Sequence, residues 1–509
     1  MDRGGEVGRE REPLEREGQM TGAPITVLST LLLAQVVFAQ AAKQSPPPPA
    51  PARPFAFPRV ASQTLPNGLT VFVVEDHRQA LVSYRVLINA GAIAQDPQKA
   101  GLAEMTAELL RNGGTKTRTS QQIAKLVDDA GGSLEARAGE DDARVVGVFL
   151  KSTADLGLDL ISDILLNPVF DEKEFERLRR QQLSGLQIGL NDPQFLLHWL
   201  APRVVYGRHP YAYPNDGTPE TIRALKRDDI VAFHRERYVP AGAFLAIAGD
   251  IAPEEAFAKA KKYLGEWKGR TPAPLEIAPP PPPQARIVVL DKPDAVQSRI
   301  YVGHLGIPRK SPDYIPLSIA NYIYGGAFTS RLNMKLRANE GLTYGASSQL
   351  QAFRQTGAFV TDTFTRTEKT VEAVKMIAAL QREFAATPVT ESELADAKSY
   401  LSGVFALAIE TPDAVADRVL IAASNGLPAD YWQTYTERIR STTPEQVIAA
   451  VKKHYNPDKM AIAIVGNASQ FAKDLESFGP VTIIQLADFD VMAPDLRRAK
   501  RTAPAASQE

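Results

Sequence analysis

Cysteine is absent from all 509 residues, and that absence removes several chemistries at once. Disulfides, thiolate–zinc sites, cysteine nucleophiles and cysteine lipid anchors are all excluded. Histidine is scarce: the six stand at His77, His198, His209, His234, His304 and His454. No two are three or four residues apart, so no helix can offer a two-imidazole metal grip. Charge of one sign is lacking as well. A formal net charge of −1 gives no general attraction to nucleic acid or to an acidic membrane, and no nucleic-acid partner is expected. The obvious basic cluster is Arg497–Arg501, in an expected tail at 491–509.

The apolar run Ile25–Ala39 is too short to span a bilayer comfortably. It leads into Ala39-Gln40-Ala41, a small-residue cleavage pattern, and reads as a secretory signal peptide within residues 1–41. The expectation is a secreted, periplasmic protein with no membrane span after cleavage. The leader is atypical, since residues 1–19 carry six acids and four arginines, and Met20 is an alternative start. A buried N-terminal helix is the alternative reading of the run.

What is present reads as globular: 44% hydrophobic and 23% charged residues, in a chain long enough for two to four domains. Two proline-rich stretches divide it, because proline lacks the amide donor that helices and central strands need. A spacer is expected at 42–58 and a linker at 269–286, flanking domains at 59–268 and 287–490. The two halves look duplicated. Aligned from Ile222 and Ile439, Tyr238 and Pro240 fall on Tyr455 and Pro457, and Gly249 falls on Gly466. Each copy reads as helix, Tyr-x-Pro turn, buried strand, glycine.

Alternation predicts strands at 69–75 and 80–90, then near 133–138 and 143–151. Helices are expected around 119–130, 153–166, 172–190 and 195–205, with Thr119/Gln122, Thr390/Glu393 and Thr443/Gln446 as capping pairs. The fold class is therefore α+β, in two tandem homologous domains with helices on one face of each sheet. Tyr238 and Tyr455 are expected to be packing residues, and His234 and His454 to lie on helix surfaces.

The segment GLAEMTAELLRNGGTKTRTS, Gly101–Ser120, predicts an amphipathic helix with Glu104 and Glu108 four apart on one face. Two carboxylates could hold a hard cation weakly. The plainer reading is a solvated acidic face near a helix start, where the helix dipole favours it.

The chain resembles the pitrilysin/insulinase family of zinc metallopeptidases, in its two-domain processing-peptidase form, over roughly residues 60–480. The resemblance rests on LPNGLTVFVVED, AGLAEMTAELLRNGGT, AGGSLEARAGED, NPVFDEKEFERLRRQQL, GGAFTSRLNMKLRANEGLTYGASS and the two Tyr-x-Pro segments. It implies two tandem α/β-sandwich domains of the processing-peptidase type. Active members carry His-x-x-Glu-His on the Gly101–Ser120 helix: two imidazoles ligate zinc and the glutamate activates its water. Here Glu104, Ala107 and Glu108 stand at those positions, and the further glutamate ligand falls near Leu178. The resemblance therefore implies no catalytic residues in that motif and no metal bound by this chain.

It also implies that Arg337 and Tyr344, in LRANEGLTY, hold a peptide substrate beside the scissile bond. Arg331 is expected to be structural. The GGSLEARAGED segment matches an edge strand that pairs with substrate, with Glu135 where relatives often have asparagine. The implied function is a non-catalytic, substrate-positioning subunit. Its heterodimer partner would be a catalytic peptidase subunit bearing His-x-x-Glu-His and zinc. The alternative is an inactive scaffold or peptide-binding protein of the same fold.

Overall fold

Two six-stranded sheets organise the protein. The computed structural model describes residues 56–387 and 389–498. The expected signal peptide and nearly all of the proline spacer lie outside the described residues.

The first sheet comprises β1 (Ala61–Thr64), β2 (Thr70–Glu75), β3 (Leu81–Ile88), β4 (Ser133–Ala138), β5 (Ala143–Leu150) and β6 (Phe244–Gly249), in the order β1-β2-β6-β3-β5-β4. The second comprises β7 (Arg286–Asp291), β8 (Gln297–Leu305), β9 (Ala346–Ala352), β10 (Gly357–Arg366), β11 (Ala461–Gly466) and β12 (Val481–Gln485), in the order β12-β7-β11-β8-β10-β9. Without the outer strands β1 and β12, the two orders are the same. In each sheet one pair of this common set is parallel, β2 with β6 and β7 with β11, and the rest are antiparallel. The outer strands break the symmetry, since β1 runs antiparallel to β2 whereas β12 runs parallel to β7.

The Tyr-x-Pro repeat falls where the duplication requires. Helices Arg227–Arg237 and Pro444–His454 end at Tyr238 and Tyr455 and feed the equivalent strands β6 and β11. Capping boxes start the helices at Thr119, Thr390 and Thr443 as the sequence predicts.

Helices cover both faces of each sheet, not one face as alternation alone suggested. In the first sheet Val71, Val73, Tyr84, Leu245 and Ile247 pack into the core of their own half. The alternate residues Val74, Leu87, Ala246 and Ala248 pack against Val415, Ala416 and Leu420 of the helix Pro412–Ser424, from the other half. The second sheet is treated reciprocally. Ile462 and Ile464 face their own helices, while Ala461, Ala463 and Val465 join a cluster with Leu196, Leu197 and Leu200 of the helix Pro193–Tyr206. Burying each leucine there is worth roughly 1.5–3 kcal/mol, so the exchanged helices bind the halves strongly. β6 (FLAIAG) and β11 (AIAIVG) are apolar throughout because neither face meets water.

The linker 269–285 has no helix or strand and passes the end of the first exchanged helix. There Gly207, at φ +65°, lies so close to Pro281 that a side chain would collide with it. Arg286 donates to the carbonyls of Arg203 and Val204, closing the C-terminus of that helix. Residues 491–498, expected to open a tail, are packed: Val491 and Leu496 are buried, and Arg203 donates to the Val491 and Ala493 carbonyls.

Candidate functional site

The helix Leu102–Asn112 follows β3 and lays Leu102, Met105, Leu109 and Leu110 into the core. Its opposite side carries the three motif positions. Glu104 and Glu108 are half-buried, which corrects the expectation of a solvated face. Desolvation by burial pushes both carboxyls above their ordinary range. The backbone N–H of Ala138 partly offsets that for Glu104, donating to its Oε2 at 2.6 Å. Glu104 thereby clamps the end of β4, the edge strand of the first sheet. Ala107 is 1% exposed and Leu178 is 3% exposed.

These residues do not fit a zinc site of the His-x-x-Glu-His type. One carboxylate is occupied by a backbone amide, the base position holds a methyl group, and the fourth position is a buried isobutyl group. Among the described residues, no three histidines, aspartates or glutamates form a group that could hold a metal ion.

Other sequence expectations fall as follows. Arg331 is structural, making a bidentate ion pair with Glu393 at 2.7 Å for both bonds. That guanidinium holds the Glu393 carboxyl down to about 2. Tyr238 is buried among Phe233 and His234. Tyr455 meets His304, Tyr324, Phe359 and Phe384. His234 is not a surface group: it bonds the Leu165 carbonyl at 3.0 Å and stacks on Tyr238, and burial lowers its pKa to about 4. His454 pairs with Asp313 at 2.7 Å.

In the second half, Arg337 lies within the short helical turns at Arg331–Asn339, and Tyr344 lies in the connection from them to strand β9. Tyr344 is 84% exposed, and Phe328 (69%) and Met334 (40%) are exposed nearby in sequence. The Arg337 guanidinium sits 4.6 Å from the centre of the Phe328 ring, a cation–π contact, and has no carboxylate partner among the described residues. The backbone beneath Tyr344 is pinned on both sides. Leu342 N–H donates to the Leu336 carbonyl, Thr365 donates to the Leu342 carbonyl, and Thr363 to the Gly345 carbonyl. Asn333 bridges the Phe328 carbonyl and the Ala346 N–H. Gly341 makes the turn at φ +61°, where a side chain would be strained.

Sequence reasoning missed Asn333, Thr363 and Thr365. Threonines alternating along β10 were the available signal, since Thr361, Thr363 and Thr365 are all buried. No hydrogen bond or ion pair among the described residues links Arg337 or Tyr344 to Glu104 or Glu108.

Duplicated α+β domains with a metallopeptidase-type motif helix define the class. A model described as insulinase (peptidase family M16) matches residues 70–188, and one described as peptidase M16 inactive domain matches residues 224–401. Together they span more than half of the chain, and the chain belongs to the M16, or insulinase, family of peptidases. It is a member without the metal motif.

It is 28% identical over 416 residues to an uncharacterized zinc protease of Mycobacterium leprae, covering 80% of this chain and 92% of that one. It is 24% identical over 402 residues to a non-peptidase homolog of Helicobacter pylori, covering 78% and 91%. A crystal structure titled as a peptidase M16 inactive domain from Pseudomonas fluorescens superposes with TM-score 0.75 at 28% identity, covering 80% of this chain and 98% of that chain. A protease structure from Helicobacter pylori, at TM-score 0.76 and 22% identity over 81% of this chain and all of that one, shows the same fold.

Proposed function

We propose that this protein is a secreted, periplasmic, non-catalytic subunit that positions peptide for a metal-bearing M16 partner in a heterodimer. The observation that carries the reading is the mounting of Tyr344. The backbone flanking it, at Leu342 and Gly345, is held by Leu336, Thr363 and Thr365, while its ring is 84% exposed. A rigid mount with a free phenol suits a group that donates to a peptide oxygen on another surface. Arg337 adds a cation whose contact with Phe328 leaves its donors available to a peptide carbonyl or carboxylate. The partner carries the zinc and the general base; this chain binds none. The non-peptidase naming of one relative is consistent with this division.

The deciding experiment is co-purification of the tagged mature protein from its own periplasm, with metal analysis and a peptidase assay on the complex. The expected result is an M16 partner bearing the motif, zinc in that partner, and hydrolysis by the pair only. Stoichiometric zinc in the purified chain alone, or recovery of the chain only from the cytoplasm, would overturn the reading. A stable partner with no peptidase activity would favour the scaffold alternative.

A further inference from the structure

A cavity of about 690 Å³ opens between the two halves, away from Arg337 and Tyr344, bounded by the tip of β4 and by the exchanged helix Pro412–Ser424. One wall is apolar, built by Leu350 and Phe353 at the end of β9 and by Leu401 and Val404 of the helix Glu391–Leu407. The other is cationic, with Arg309 and Arg418 from the second half.

Arg309 is the unusual member. It is 7% exposed, yet no carboxylate lies within ion-pair distance of it among the described residues. Its guanidinium lies 3.8 Å from the centre of the Tyr314 ring and 5.0 Å from that of Tyr431, and it donates to the Tyr431 hydroxyl at 3.0 Å. Its own N–H is tied to the Phe353 carbonyl, which fixes the loop that carries it. Buried charges are ordinarily paired, and aromatic faces compensate a desolvated guanidinium only in part.

The acids on the cavity wall are engaged elsewhere. Asp142 pairs with Arg144 at 2.9 Å, and Asp141 accepts from the Tyr211 hydroxyl at 2.5 Å and from the Arg354 N–H at 2.8 Å. Glu140 makes no ion pair among the described residues, and burial pushes its carboxyl above the ordinary range. Among the described residues, none of these acids makes an ion pair with Arg309 or Arg418, whose guanidiniums rest on aromatic rings.

We propose that this cavity binds a carboxylate carried on an apolar body, with Arg309 receiving the carboxylate and the Leu350–Leu401–Val404 wall receiving the body. The planar guanidinium matches a carboxylate in a two-bond geometry, and the volume falls in the usual range for a small-ligand site. Two sources share this chemistry: the C-terminal residues of a peptide and a medium-chain fatty acid. The inference is independent of the peptide-positioning role of Tyr344.

The test is titration of the full-length mature protein with N-acetyl-leucyl-leucine, its C-terminal amide, and decanoate. Binding is read by calorimetry and by the fluorescence of Trp432, 5.8 Å from the Arg309 guanidinium. At least one carboxylate probe is expected to bind, with the amide about tenfold weaker or worse where the dipeptide is the ligand. Arg309→Gln should weaken the bound probe about tenfold or more. Because Arg309 also holds the aromatic cluster, Leu401→Trp serves as the second variant. It fills the apolar wall, leaves Arg309 untouched and should also abolish binding. Binding of the dipeptide acid alone assigns the peptide source, and binding of decanoate alone assigns the acyl source. Equal binding of acid and amide, retained affinity in Arg309→Gln, or no binding of either carboxylate probe at millimolar concentration overturns the proposal.

Discussion

The two halves share a strand order but treat their motif segments in opposite ways. In the first, the motif face of the helix Leu102–Asn112 is turned to internal use. Glu104 clamps an edge strand, Glu108 is half-buried, and Ala107 and Leu178 are packed. In the second, Phe328, Met334 and Tyr344 remain exposed and Arg337 rests on a single ring. A duplicated scaffold can thus close one site by packing while holding its counterpart open. The scaffold survives because the core residues beneath each segment are separate from the residues on show.

Six substitutions at five positions test that contrast. The largest effect is expected at the open site. In a verified complex with a catalytic partner, Tyr344→Phe should slow turnover on the order of a hundredfold while leaving the melting temperature and the complex unchanged. Wild-type turnover in both Tyr344→Phe and Arg337→Lys would make the exposed pair structural and the halves alike in having no functional face.

Next is the anchor beneath the open site. Arg331→Ala should destabilise by about 1 kcal/mol at neutral pH, measured by denaturant titration. The sign with pH follows from the Glu393 carboxyl being held down to about 2. The pair's contribution is full above the ordinary carboxylate pKa and fades as pH falls toward 2, so variant and wild type should converge in acid.

At the closed site, Glu104→Ala removes the acceptor for the Ala138 amide and should cost about 1 kcal/mol, with faster hydrogen exchange at that amide. Glu104→Gln keeps an acceptor and should restore slow exchange. The smallest effect is expected at Glu108, whose carboxyl burial pushes upward. A raised folded-state pKa means that the charged form costs stability, and increasingly so as pH rises through it. Glu108→Gln should therefore be slightly more stable than wild type at neutral pH and lose that advantage in acid. A variant less stable at neutral pH would show that Glu108 is held by a partner charge, with Arg137 and Arg177 the nearest candidates.

Much of this architecture was legible beforehand. Alternation located β2 through β5, the capping pairs located helix starts, and the Tyr-x-Pro repeat located the equivalent strands. The reciprocal helix exchange was not foreseen, although β6 and β11 carried its signal. A strand apolar at every position must be covered on both faces, but local sequence cannot name the cover. Glu104 and His234 were misjudged for a related reason. Polar side chains look solvated until a distant strand or carbonyl supplies the bond that lets them be buried, as Ala138 and Leu165 do here. At the candidate site, Arg337 and Tyr344 were proposed through the resemblance of LRANEGLTY to a family segment, since their spacing alone says little. The threonines that hold their backbone still lie on β10, and only tertiary pairing brings them there.

The exchanged helices also set a timetable for synthesis. Pro193–Tyr206 is made early, but the strand that covers it, Ala461–Gly466, follows some 255 residues later. At the usual pace of translation that is a wait of roughly 13 to 50 s. Until then the nascent chain carries an uncovered leucine-rich helix, and its first sheet stays bare on one side until Pro412–Ser424 has been made. Commitment to the native state waits for Ala461–Gly466, and severing the linker afterwards would leave two fragments still locked together.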